Sequence, residues 1–311
     1  MDRRLLALLL AGFFLAAAPG APGAPAAVRI TDDTGDIIRL DAPAMRIVTL
    51  YAAFSDILAG MDLADRIVGR TKTDDAVSPN IPSVGTHMRP SMELVLGLKP
   101  DLVLQMGGRA EAAQSVADLR RNGVPTAFFR IRTFADLFSV IRRVGALTDA
   151  AGNADALILS LQARLDALHG TLDAAGPVRP TVFFEVRYPN LLGAGPDSMV
   201  TDIIRAAGGR NILAQENSSR TGRIVRLSEE ELLRLNPDAY CVQQGPMNKN
   251  PVPLAERPHF TTLRAVVSKR ILTVDEHLFS RPGPLAVDAA ETLAKFLHPG
   301  LFPLTQEYPA P

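Results

Sequence analysis

Ser91-Met92-Glu93-Leu94-Val95-Leu96-Gly97-Leu98-Lys99-Pro100-Asp101 recurs as Ser228-Glu229-Glu230-Glu231-Leu232-Leu233-Arg234-Leu235-Asn236-Pro237-Asp238, at a constant offset of 137 residues. Ser, Glu, Leu, Pro and Asp coincide. Each copy opens on a Ser suited to cap a helix, and the second adds Glu231 in the position of a capping box. Each then runs for about two turns, stops before Pro, and leads into an apolar strand, Leu102 to Gln105 or Ala239 to Val242. The chain therefore carries one supersecondary unit twice, as two similar halves would.

Working outward, Arg46 to Leu50, Arg66 to Gly69, Leu102 to Gln105 and Pro125 to Phe129 read as apolar strands. Helical stretches over Phe54–Met61 and Ala110–Asn122 lie between them. Near-continuous apolar strands alternating with helices predict an α/β fold with a parallel sheet covered on both faces. From Asn153 to Asp173, Leu157, Leu161, Leu165, Leu168 and Leu172 form one stripe of a long helix. Gly176-Pro177 ends it, and Thr181 to Val186 opens a second α/β region. The expected organisation is two Rossmann-like lobes with central parallel sheets, joined by a single long helix. Its bounds are 27–148 for the N-terminal lobe, 149–175 for the connector and 176–311 for the C-terminal lobe.

Of 311 residues, 47% are hydrophobic, enough for a large core. The 33 basic and 33 acidic side chains cancel, so there is no basic excess to hold a polyanion, and nucleic acid is not an expected partner. The single cysteine, Cys241, can form neither an intramolecular disulfide nor a thiolate metal site by itself, and within an apolar strand it is expected to be inert. Nucleotide fingerprints and hydrolase motifs are absent. Gly193-Ala194-Gly195 lacks dinucleotide spacing, and Gly208-Gly209 reads as a helix end.

Residues 1–26 read as a secretory signal peptide: Arg3-Arg4, an apolar run from Leu5 to Ala18, then small residues. That run falls short of the roughly 20 residues that span a bilayer. No cysteine follows it for lipid attachment, so the expected product is an unanchored, monomeric periplasmic protein.

The sequence resembles the periplasmic binding proteins for vitamin B12 and ferric siderophores. The residues that carry the resemblance are Val84 to Glu93 with Leu98 to Val103, Ala207 to Ile212, Ser280 to Pro284, and Leu293 to Pro299. It spans roughly residues 45–300. The resemblance implies two lobes on a rigid helix, capture of a metal chelate in the cleft between them, and delivery to the permease and ATPase of an ABC importer. It places the family's paired docking glutamates on Glu93 and Glu230. Read from the residues alone, both carboxylates also favour the helix N-terminal dipole.

Ligands of such sheets sit at the carboxyl ends of the strands, which nominates the following loops. In the first half the candidates are Tyr51, His87, Arg89 and Arg109; in the second, Arg187, Tyr188, Arg223, Gln244 and Arg281. Related proteins place a ligand-contacting side chain at the position of His87. Its imidazole suits coordination of a chelated metal when neutral and a hydrogen bond to an anionic arm when protonated, and a solvated loop histidine is the plain alternative. Tyr51 and Tyr188 either face each other across the cleft or bury their rings. Arg187, Arg223 and Arg281 suit an anionic ligand. His277, beside Glu276, is a weaker metal candidate, while His169, His259 and His298 read as structural.

No resident cofactor is expected beyond the chelate itself. Arg-rich loops favour a ferric siderophore, the lack of Trp counts against a corrinoid, and heme with His87 or a Tyr as axial ligand is a further reading. Two other functions fit the same architecture: a chelatase-like enzyme acting on tetrapyrroles, and a ligand sensor subunit.

Overall fold

The computed structural model describes residues 27–176, 178–214 and 220–302; the expected signal peptide lies outside them. The chain opens with an antiparallel hairpin, β1 (Val28–Thr31) and β2 (Ile37–Leu40). The Asp32 carboxylate organises its turn, accepting from the Thr34 amide at 2.9 Å. It also ties the hairpin to the first lobe by accepting from the Phe128 amide at 3.0 Å.

The first lobe alternates as expected: β3 (Ile47–Thr49), α1 (Ala52–Gly60), β4 (Ile67–Arg70), α2 (Met92–Gly97), β5 (Leu102–Met106), α3 (Ala110–Arg121), β6 (Thr126–Phe129) and α4 (Phe134–Leu147). Its sheet has the order β4-β3-β5-β6, parallel throughout. Every residue of β5 and β6 is buried, so these strands read as apolar runs interrupted only by Gln105 and Thr126.

A 24-residue helix follows, α5 (Ala151–Ala174), about 36 Å long at 1.5 Å per residue. Its first half packs on the first lobe. Gly145 of α4 lets the two helices meet, since a Cβ there would lie 2.6 Å from that of Ala154. Its second half is held to the second lobe by Arg164, which pairs with Asp288 at 2.9 Å and Glu291 at 2.8 Å. Buried Ala154, Ile158, Leu161, Leu165 and Leu168 join one core running through both lobes. Each of the larger side chains contributes about 1.5–3 kcal/mol of transfer free energy.

The second lobe holds β7 (Thr181–Arg187), β8 (Leu192–Ala194), α6 (Met199–Ala206), β9 (Arg210–Asn211), β10 (Ile224–Arg226), α7 (Glu229–Leu235), β11 (Ala239–Gln244), α8 (Arg264–Val267), β12 (Ile271–Asp275), α9 (Glu276–Ser280) and α10 (Ala286–Leu297). Strands β7, β9, β11 and β12 pair in parallel, while β8 and β10 extend the sheet antiparallel. The second sheet is therefore parallel at its centre and mixed at one edge. Gly208, with φ +75°, ends α6 as its sequence position suggests.

The repeat is visible in the backbone. Ser91 and Ser228 accept from the amides of Leu94 and Glu231, capping α2 and α7. Lys99 and Asn236, at matching positions, both turn the chain with positive φ, 49° and 41°. Asp101 and Asp238 then tie down the start of the neighbouring strand: Asp101 accepts from the amides of Met45 and Arg46, Asp238 from the amide of Thr181. The expected capping box at Glu231 is half made, because its carboxylate pairs with Arg220 instead. α2 and α7 cover the outer faces of the two sheets, Val95 and Leu232 lying in separate apolar layers.

Candidate functional site

Tyr51 follows β3 directly and forms the N-cap of α1, which aims its side chain over the carboxyl edge of the first sheet. Its ring meets His87 edge-on, with centroids 5.3 Å apart and planes at 82°. His87 sits at the tip of the turn from Thr86 to Arg89, closed by the Arg89 amide donating to Thr86 Oγ1 at 3.2 Å. Gln105, buried at the end of β5, fixes that turn by donating from Nε2 to the His87 carbonyl at 2.7 Å.

Charges from both lobes converge on this pair. Burial pushes the His87 imidazole below its ordinary value, and Arg109 and Arg223 add to the shift, all three favouring the neutral ring. Burial raises the Tyr51 hydroxyl, opposed by the cations Arg223, Arg281 and Arg109 and reinforced by Glu276. Arg109 belongs to the loop after β5 and is exposed; Arg223 comes from the loop before β10. Arg223 reaches across the cleft and donates from Nη1 to the Gly107 carbonyl at 3.3 Å. Gly108 makes room for it, since a Cβ there would lie 2.8 Å from that nitrogen. A neutral imidazole beside a phenol, flanked by guanidinium groups from opposite lobes, can take a ligand that carries anionic arms and an accessible metal.

The remaining candidates fall elsewhere. Tyr188 makes its side-chain contacts within the second lobe. Its ring stacks on the Arg257 guanidinium at 3.9 Å and lies edge-on to Phe260. Arg257 is fully buried against Glu185, with contacts of 2.5 and 3.1 Å, and Tyr240 donates to the same carboxylate at 2.6 Å. Arg89 is exposed in its loop, and Arg187 and Gln244 are exposed as the last residues of β7 and β11. Arg281 is only 7% exposed, its guanidinium taken by Asp56 and Asp75 of the first lobe, so it is not presented to a ligand. Gln105 and Glu276 were legible as loop neighbours; Asp56 and Asp75 carry no local signal.

Glu93 and Glu230 are exposed in the first turns of α2 and α7. Each helix precedes a parallel strand, so both N-termini lie on the carboxyl-edge side of their sheets. Hydrogen bonding from its own backbone amide and from Ser228 holds the Glu230 carboxyl below its ordinary value. A cavity of about 860 Å³ runs along α5, lined by Phe134, Phe138, Leu165, His169 and His298 among others; Tyr51, His87, Arg109 and Arg223 do not line it. Among the described residues no three His, Cys, Asp or Glu side chains converge as a metal site, and no helix is long and apolar enough to cross a membrane. Burial pushes the Cys241 thiol up to about 12.

Similarity to known proteins follows the same architecture. The chain is 26% identical over 281 residues to the ABC transporter substrate-binding lipoprotein YvrC of Bacillus subtilis, covering 88% of this chain and 87% of that protein. It is 26% identical over 275 residues to a cobalamin-binding protein of Halobacterium salinarum, covering 86% and 73%. Among solved structures, the apo periplasmic heme-binding protein RhuT from Roseiflexus sp. RS-1 superposes with a TM-score of 0.71 at 22% identity, covering 82% of this chain and 98% of that one. All three are named as binding proteins. The profile of the periplasmic binding protein family matches residues 47–278, from β3 to α9, and the chain belongs to that family.

Proposed function

We propose that this protein captures an anionic metal chelate, in the first place a ferric siderophore, and hands it to an ABC importer. The observation that carries the reading is the convergence of Arg109 and Arg223 from opposite lobes on the neutral His87 and Tyr51. Planar guanidinium groups recognise carboxylate, catecholate or hydroxamate oxygens in bidentate fashion. Two anchors on different lobes also make a ligand bridge the cleft. Cobalamin, the ligand named for several relatives, offers fewer anionic groups to that pair. Heme fits the anionic requirement, with Tyr51 or His87 toward its iron.

Delivery rests on Glu93 and Glu230. Exposed acids on matching helices of the two lobes suit basic pockets on a permease, which would orient docking more than tighten it. The signal-like residues 1–26 support export to the periplasm.

The test is native mass spectrometry and absorption spectroscopy of the protein purified from its own host, followed by titration with a ferric siderophore, hemin and cyanocobalamin. A bound ferric chelate whose affinity falls in Arg109→Ala and Arg223→Ala is the expected result. Tight cyanocobalamin binding that ignores both substitutions overturns the anionic reading. Glu93→Ala with Glu230→Ala should abolish uptake while leaving affinity intact, and unchanged uptake removes the docking assignment.

A further inference from the structure

Arg281 closes a bridge between the lobes. From the end of α9 its Nη2 meets Asp75, in the loop after β4, and its Nη1 meets Asp56 of α1 at 3.3 Å. The other oxygen of Asp75 lies 2.7 Å from Nδ1 of His277, also on α9. Among the described residues, the ion pairs running directly from one lobe to the other all pass through Asp56 or Asp75. Gly283, just beyond, lets the chain lie against Ala53 of α1, where a Cβ would sit 3.2 Å away. Burial works against the charged guanidinium, but the two aspartates outweigh it and hold Arg281 above its ordinary value. The bridge has one sheltered end and one open end: the Arg281 side chain is 8% exposed, that of Asp75 56%. It also borders the cleft, since the Arg281 charge reaches the Tyr51 hydroxyl.

We propose that Arg281 is a positioning residue for capture and release: by bridging Asp56 and Asp75 it latches the two lobes at the spacing seen here. The strut α5 is packed on both lobes, so the motion left to them is a swing about that helix, and the latch resists it. A charged group of a docked partner can reach the open side of the latch at Asp75 and compete for it. The latch acts whichever chelate the cleft takes.

The test uses the purified protein with no ligand added, so its outcome is separate from that of the chelate reading. Small-angle X-ray scattering and amide hydrogen exchange are compared for the wild type, Arg281→Gln, and Asp75→Asn, whose half-exposed site tolerates substitution. Both variants should enlarge the radius of gyration and speed exchange in α1 and α9 by about tenfold, with β5 and β11 unchanged. The double variant Asp75→Cys, His277→Cys places two thiols at the latch; buried Cys241 does not compete. Once oxidised it should cancel the enlargement in an Arg281→Gln background and return it on reduction. Unchanged exchange at α1 and α9 in both single variants overturns the latch, as does acceleration spread evenly over β5 and β11.

Discussion

The units Ser91–Asp101 and Ser228–Asp238 share their scaffold and differ in their surroundings. Both have a capping serine, a left-handed residue at matching positions and an aspartate that ties down the next strand. Asp101 holds two backbone amides at an exposed sheet corner. Asp238 is partly sheltered, and hydrogen bonds from Thr181 together with Arg264 overcome that burial and hold its carboxyl down at about 2. The strand ends diverge further: Tyr51 stands at the cleft beside His87, while Tyr188 is absorbed into a buried ion-pair network. Repeated hydrogen-bonding positions preserve the backbone of each half, and unrepeated long-range partners decide what each half presents.

The contrast between the two tyrosines breaks most strongly at Arg257. Arg257→Met strands the fully buried Glu185 carboxylate and should cost about 3–5 kcal/mol in urea unfolding, while the Tyr51–His87 pair is untouched. Asp238→Ala leaves the Thr181 amide without its acceptor and should cost about 2–3 kcal/mol, more than Asp101→Ala at its exposed corner. The Asp238 carboxyl is lower in the folded chain than its ordinary 3.8, so its contribution is complete above that pH and is lost as pH falls toward about 2. Acid unfolding monitored by circular dichroism should therefore lose part of its steepness in Asp238→Ala. Ser91→Ala and Ser228→Ala, removing equivalent caps, should cost about 1 kcal/mol each; unequal costs would show that surroundings modify the scaffold too.

Asp56 gives an effect of opposite sign. Burial raises its carboxyl to about 6 despite Arg281, with Asp74 and Asp75 adding to the rise. Because the folded value lies above the unfolded 3.8, stability linked to Asp56 is fully present below 3.8 and is lost as pH rises through about 6. Asp56→Asn should flatten that segment of the stability profile, read from urea midpoints at successive pH values.

The alternation of strands and helices was legible because buried parallel strands are largely apolar on both faces, as β5 and β6 are apart from Gln105 and Thr126. The expected strand at Thr181–Val186 and the leucine stripe appear as β7 and α5. The hairpin β1–β2 carries no such signal, because its four-residue strands are half exposed and its turn depends on Asp32 contacts. The antiparallel strands β8 and β10, three residues each, are too short to carry a period. Within the site, Tyr51, His87, Arg109 and Arg223 were readable as strand-end residues, and the structure brings those four together.

Periodicity, caps and the repeat are local, acting within a few residues of one another, and so the amino-acid sequence alone determined two α/β halves, a stiff connector and the rims that bear polar side chains. Partners separated by many tens of residues are set only by packing. Tertiary structure therefore decided that Arg281 joins the lobes through Asp56 and Asp75 and that Tyr188 lies over Arg257, while Tyr51 meets His87.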